Sequence, residues 1–190
     1  MIWTLFGSRA ARRERRARDA ELIGFRSALD MAASSGSIAD LDSNVARLEA
    51  RAAELGLSED EAPIEVEMLE GLRELAAFTK LVERNGFPVV ETQHRVLTGE
   101  QCRFSAPATR VESAGGASGR LFLTDGRAVF VGPSVSAVSW SAIANVDRGG
   151  RELVFATPAR RHQFSMNTFA DALKAAWLSD RLSARIRRQS

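Results

Sequence analysis

The chain has 190 residues, 45% of them hydrophobic and 26% charged, with a formal net charge of +2. That is the composition of an ordinary globular protein, long enough for one sizeable domain or two small ones. A single cysteine, Cys102, excludes an intramolecular disulfide, and with only His94 and His162 beside it a four-ligand structural zinc site is excluded as well.

The first residues form an apolar tip over 1–8, containing Ile2, Trp3, Leu5 and Phe6, and Arg9, Arg12, Arg13, Arg15, Arg16 and Arg18 follow it. Apolar before basic is the reverse of a signal peptide, and Ile2 stands where N-myristoylation needs glycine. No apolar run approaches the ~18 residues of a membrane span. Trp and Phe favour the bilayer interface, and Arg favours anionic headgroups. Trp3, Phe6, Arg9, Arg12, Arg13, Arg15 and Arg16 are therefore the first candidate site, for an acidic membrane surface. Six arginines less Glu14 and Asp19 leave +4 over residues 1–20. At roughly 1 kcal/mol per basic residue, that gives on the order of 4 kcal/mol before ordering costs.

The first helix is expected from after Ser8 to about Ser34, with Leu22, Phe25, Leu29 and Ala32 as its apolar stripe. Ser37 to Asp40 reads as a capping box that opens a second helix, which Gly56 ends. Within it Ile38, Leu41, Val45, Leu48, Ala52 and Leu55 make a narrow seam spaced three and four apart. Such a seam suits lengthwise pairing with another helix, inside the chain or as a coiled coil between chains. A third helix carries Met68, Leu72, Leu75 and Val82 and stops at Asn85-Gly86. Residues 49–74 hold nine acids against Arg51 and Arg73, so the arginine segment has an attractive partner within the chain itself.

Beyond Pro88 the apolar period becomes strand-like. The expected strands are Val89–Val96, Gln101–Ser105, Thr109–Glu112, Arg120–Leu123, Ala128–Val131, Val135–Trp140, Ile143–Asp147, Glu152–Ala156 and His162–Met166. Asp125-Gly126 signals a type I′ hairpin turn, with Leu121, Leu123, Val129 and Val131 on the inner face. Thr168 to Asp171 caps a last helix. That helix has one stripe of Phe169, Leu173, Ala176 and Trp177 and an opposite one of Leu178, Leu182 and Ile186. The second stripe, with Leu41, Val45 and Leu48, is the candidate interface for the helical half or for another chain.

The stretch GRLFLTDGRAVFVG at 119–132, followed by WSAIANV at 140–146, resembles the central hairpin and following strand of GRAM-like and bacterial PH-like domains. Gly119, Leu121, Leu123, Thr124, Arg127, Phe130, Ile143 and Val146 are the matching positions. The resemblance covers about residues 95–185. It implies the pleckstrin-homology superfold and the work of such domains, which bind acidic lipids or proteins and are not enzymes. Basic residues at one end of the barrel would then serve an anion, and Arg148, Arg151, Arg160 and Arg161 on two turns are the candidates.

No catalytic constellation accompanies these features. No serine stands in a G-x-S-x-G elbow, and the glycines at 115–119 lack the lysine of a P-loop. His94 reads as an exposed polar position and Cys102 as a half-buried strand thiol.

The expected class is α+β: a helical hairpin or three-helix bundle over 9–87, then a PH-like antiparallel β-barrel over 88–190 capped by a C-terminal helix. The expected function is a non-enzymatic, cytoplasmic scaffold without cofactor or metal. It would associate peripherally with the inner face of a membrane and hold a protein partner. Oligomerisation through the two seams is the alternative, and arginine-mediated nucleic-acid binding ranks third.

Overall fold

A computed structural model describes residues 3–34, 38–92, 94–112 and 115–189, and for residues 3–8, 38, 39 and 112 the backbone alone. The chain divides into two compact units, residues 1–72 and 73–190. Helix α3, Pro63–Asn85, begins in the first and ends in the second.

In the first unit α1 spans Trp3–Ala33 and α2 spans Ile38–Glu54. α1 starts earlier than expected, running through the weak helix formers Gly7 and Ser8, so Ser8 sits inside it. Phe25, Leu29 and Ala32 of α1 are buried with Leu41, Val45 and Leu48 of α2 and with Met68, Leu69 and Leu72 of α3. Both sequence stripes thus face this unit's own interior. α2 ends in a Schellman motif: Leu57 N–H bonds the Ala52 carbonyl and Gly56 N–H that of Ala53, both at 3.0 Å. Gly56 takes the left-handed backbone this closure requires, at φ +59°. The box expected at Ser37 lies outside the described residues.

The second unit is a seven-stranded antiparallel sheet: β1 Cys102–Glu112, β2 Gly115–Thr124, β3 Arg127–Val131, β4 Val135–Ser139, β5 Asn145–Gly149, β6 Glu152–Ala156 and β7 Arg161–Met166. Helix α4, Phe169–Gln189, follows. The strand order is β4-β3-β2-β1-β7-β6-β5, an open sheet with β4 and β5 at its edges. Residues from both flanks, Phe130 and Trp140 on one and Leu153 and Phe155 on the other, meet Leu178 and Leu182 of α4 in a single core. This is the expected α+β, PH-like plan with its C-terminal helix, although the expected barrel is here an open sheet, since β4 and β5 do not pair.

The stretch Val89–Val96 is not a strand. Among its described residues no strand forms; His94 has extended backbone, and a single 3-10 turn follows at Arg95–Leu97. Val90, Val96 and Leu97 instead cover the outer face of the sheet, in a second small core with Cys102, Phe122 and Val129. The runs expected at 101–105 and 109–112 are one strand, β1, continuous through Pro107. That proline lies just outside the ladder with β7, which begins at Ala108, where a missing N–H is tolerated.

The inner face of β3 also differs from expectation. Leu121 pairs with Phe130 and Leu123 with Ala128, and cross-strand partners share a face. Phe130 and Ala128 therefore point inward, while Val129 and Val131 point to the second core. The hairpin turn is not type I′, because neither Asp125 nor Gly126 has a positive φ. Thr124 Oγ1 closes it by accepting from Gly126 N–H at 3.3 Å and Arg127 N–H at 3.0 Å. Gly119 has a steric reason: a Cβ there would lie 2.3 Å from the Val131 carbonyl oxygen and 2.7 Å from the Phe130 ring.

In α4 the expected cap forms, with Asp171 N–H donating to Thr168 Oγ1 at 3.0 Å. Its two stripes find partners within the unit. Phe169, Leu173, Leu178 and Leu182 are buried. Trp177 meets Phe78 of α3 edge-on at 5.8 Å, and Lys174 bonds Glu74 at 2.5 Å.

Candidate anion-binding surfaces

Arg18 marks where α1 leaves the hairpin. It donates to the Leu55 carbonyl at 2.7 Å and pairs with Glu61 at 3.6 Å. α2 therefore ends beside Arg18, and about 22 Å of α1 continues past it at 1.5 Å per residue. Residues 9–17 of that extension are exposed without a break. At about 100° per residue, Arg9, Arg12, Arg13 and Arg16 fall on the side of α1 opposite Phe25, Leu29 and Ala32. Arg18 falls on the packed side.

The arginine segment is thus divided. Arg18 and Arg26 are held by acids, the latter by Glu65, which is only 1% exposed. Arg9, Arg12, Arg13, Arg15 and Arg16 make no ion pair among the described residues. Five arginines and Glu14 leave +4 over residues 9–17. The Trp3 and Phe6 side chains lie outside the described residues.

The second surface lies at one end of the sheet in the second unit. Strand direction places the β3–β4 turn (132–134), the β6–β7 turn (157–160) and the end of β1 together there. Arg110 continues the inward series Phe104, Ala106 and Ala108 to the rim. Its guanidinium lies 5.3 Å from the Phe130 ring centroid and donates to Ser136 Oγ at 2.8 Å and Ser134 Oγ at 3.0 Å. Arg160 Nε donates to His162 Nε2 at 3.0 Å. Burial lowers the His162 pKa below its ordinary 6.5, and the charges of Arg160 and Arg110 lower it further. This rim is locally electropositive with a neutral imidazole in it.

The four turn arginines do not come together. Arg160 and Arg161 stand at this rim, and Arg161 is paired with Asp147 at 3.1 Å. Arg148 and Arg151 stand at the β5–β6 turn, the opposite end of the sheet. There Arg148 lies over the Phe169 ring at 5.1 Å. Sequence reasoning missed Arg110. Its signal was an arginine in phase with the inward residues of a strand, which marks a rim.

The interface candidates Leu41, Val45, Leu48, Leu178 and Leu182 are buried within their own units, and Ile186 is half-buried against the core. They leave no free apolar stripe. His94 is exposed and caps the 3-10 turn through Nδ1, which accepts from Val96 N–H at 3.4 Å. Cys102 is buried more deeply than expected, and burial raises its thiol pKa above the ordinary 9.0. Among the described residues no group of three His, Cys, Asp or Glu is placed to hold a metal ion, and no helix is long and apolar enough to cross a membrane.

No family model and no curated protein matches the chain. Among solved structures, the C-terminal domain of an unknown protein from Leishmania infantum is 18% identical, with a TM-score of 0.37 over 54% of this chain and 95% of that one. Inner Membrane Complex Sub-compartment Protein 3 from Toxoplasma gondii is 15% identical, with a TM-score of 0.39 over 44% and 77%. The DH/PH domain of human ARHGEF11, solved with human RhoA and its inhibitor, is 13% identical, with a TM-score of 0.43 over 90% and 54%. Likenesses this distant carry no family and no activity across to this chain.

Proposed function

We propose that the chain is a non-enzymatic adaptor of the bacterial PH-like or GRAM-like kind. Its arginine-bearing extension of α1 rests on the acidic inner face of a membrane from the cytoplasmic side, and its PH-like unit holds a protein partner. One observation carries this reading: residues 9–17 form nine consecutive exposed helical positions bearing +4. A helix segment that short, with nothing packed on it, is marginal in water. An anionic surface supplies what it lacks, at roughly 1 kcal/mol per charge. The electropositive rim around Arg110, Arg160 and His162 supports the same preference for acidic ligands. Burial of both apolar seams favours a different protein over a second copy as the partner.

The test is co-sedimentation with vesicles of phosphatidylcholine alone or mixed with phosphatidylserine. Wild-type protein is expected to pellet with the anionic vesicles only, and less as salt rises. A variant with Arg9, Arg12, Arg13 and Arg16 all changed to Glu is expected to stay in the supernatant. Equal pelleting of the two proteins overturns the role of the extension. Binding to duplex DNA with a steep salt dependence, and none to vesicles, puts the nucleic-acid reading in its place.

A further inference from the structure

Strand β4 pairs only with β3 and stands at an edge of the sheet. The two strands join without a bulge, from Val131 with Val135 to Arg127 with Ser139. Trp140 N–H donates to the Gly126 carbonyl at 3.3 Å, and Gly132 N–H to the Ser134 carbonyl at 3.4 Å. Bonded and unbonded positions alternate along an antiparallel pair. Ser136 and Val138 therefore bond to β3, while Val135 and Ala137 turn their N–H and C=O groups to the outer edge, and Ser139 its N–H. Val135 and Ala137 are exposed. Among the described residues nothing bonds their outward groups.

Natural sheets guard such an edge with charge, proline or a bulge, because it can pair with any extended chain. β4 has none of these within it. Pro133 lies in the turn before it, and residues 128–146 hold no charged side chain. The other edge strand, β5, carries Asp147 and Arg148 and packs against α4. At the start of β4 the Arg110 guanidinium lies on Ser136 and Ser134, at 2.8 and 3.0 Å, and belongs to the electropositive rim. We infer that β4 is a docking edge for an extended segment of another protein, which adds as an antiparallel strand and brings a carboxylate to the Arg110 end. This rests on the reading that the PH-like unit holds a protein partner, and it names the form of that partner. Backbone bonds to Val135 and Ala137 require an extended chain, not a helix. Running antiparallel, the segment ends beside Val135, so its acid stands near its C-terminal end. A second copy fits less well, because its own β4 brings no carboxylate.

The test is NMR titration of the isotope-labelled full chain with the end-blocked peptide Thr-Val-Thr-Val-Thr-Val-Glu-Glu. Wild type is expected to show shifts centred on the amides of Val135, Ala137 and Ser139. Ala137→Pro is expected to weaken binding about tenfold or more at a nearly unchanged melting temperature, since proline at an outward edge position removes no ladder bond. The same peptide N-methylated along its bonding edge, a change that leaves the protein intact, is expected not to bind. Lysines in place of its two glutamates are expected to cost about tenfold. Ala137→Pro binding as wild type does, or the methylated peptide binding as tightly as the original, overturns the proposal. Shifts confined to another face of the unit also overturn it but keep the wider reading, whereas no shift anywhere overturns both. Self-association of wild type without peptide, lost in Ala137→Pro, overturns it in favour of a second copy.

Discussion

Arg103 holds Asp125 by two parallel hydrogen bonds, Nε to Oδ1 at 2.7 Å and Nη2 to Oδ2 at 2.9 Å. The same guanidinium donates from Nη1 to the carbonyls of Phe87 and Pro88, each at 3.3 Å. One arginine thereby ties the segment after α3 to the tip of the β2–β3 hairpin. Its side chain is only 11% exposed, so removing the carboxylate leaves a largely buried cation short of its main partner. Asp125→Ala is expected to destabilise the second unit by about 1–3 kcal/mol, with Asp125→Asn losing less. Urea unfolding checks it, and an unchanged midpoint would contradict it.

Ser179 and Ser183 lie one turn apart on α4, both buried, and neither hydroxyl has a hydrogen-bond partner among the described residues. A buried hydroxyl without a partner is a cost, and serine is a weaker helix former than alanine. Ser179→Ala and Ser183→Ala are each expected to raise stability, by on the order of 0.5–1 kcal/mol. A fall in the denaturation midpoint for both would mean that these hydroxyls are satisfied in solution.

His162 sets an acid dependence. Burial first, then Arg160 and Arg110, push its folded pKa below 6.5, so the unfolded chain takes up a proton at higher pH than the folded one. Between those two values the unfolded state binds more protons. The His162 contribution to stability is therefore full above 6.5 and lost as pH falls through 6.5 toward the folded value. Asp180 acts with the opposite sign, since burial raises its carboxyl above 3.8. Thermal melts of wild type and His162→Gln across pH 5 to 8 check this, with a flatter profile expected for the variant.

Leu48 tests the fate of the helical seam. It is 4% exposed within the first unit. Leu48→Ala is expected to destabilise that unit by about 2–5 kcal/mol, the cost of a buried cavity. Sedimentation of the wild-type protein is expected to show no concentration-dependent association through this seam. A stable dimer that Leu48→Ala dissociates, without loss of helix content, would restore the intermolecular coiled coil.

Much of the architecture was legible because it is written in local chemistry. Gly56, Gly86 and the Thr168–Asp171 cap end or begin helices where short-range geometry alone demands it. The three-and-four spacing of Leu41, Val45 and Leu48 marks a buried face in any fold. The errors fell where a residue's role depends on a distant neighbour. Asp125-Gly126 reads as a type I′ turn until Thr124 closes it another way. Val129 reads as inward until its register with Phe122 puts it in the second core.

The sequence by itself thus determined the helices, the change to short strands, the hairpin at 119–132 and a block of arginines near the start. The tertiary structure alone decided which arginines are held and which are exposed. Arg18 and Arg26 are claimed by Leu55, Glu61 and Glu65, far along the chain, while Arg9 to Arg16 project beyond the end of α2. It also separated Arg148 from Arg160 and brought Arg110 to the rim. A strand's direction and partner, not its composition, fix the end of the sheet at which a side chain emerges.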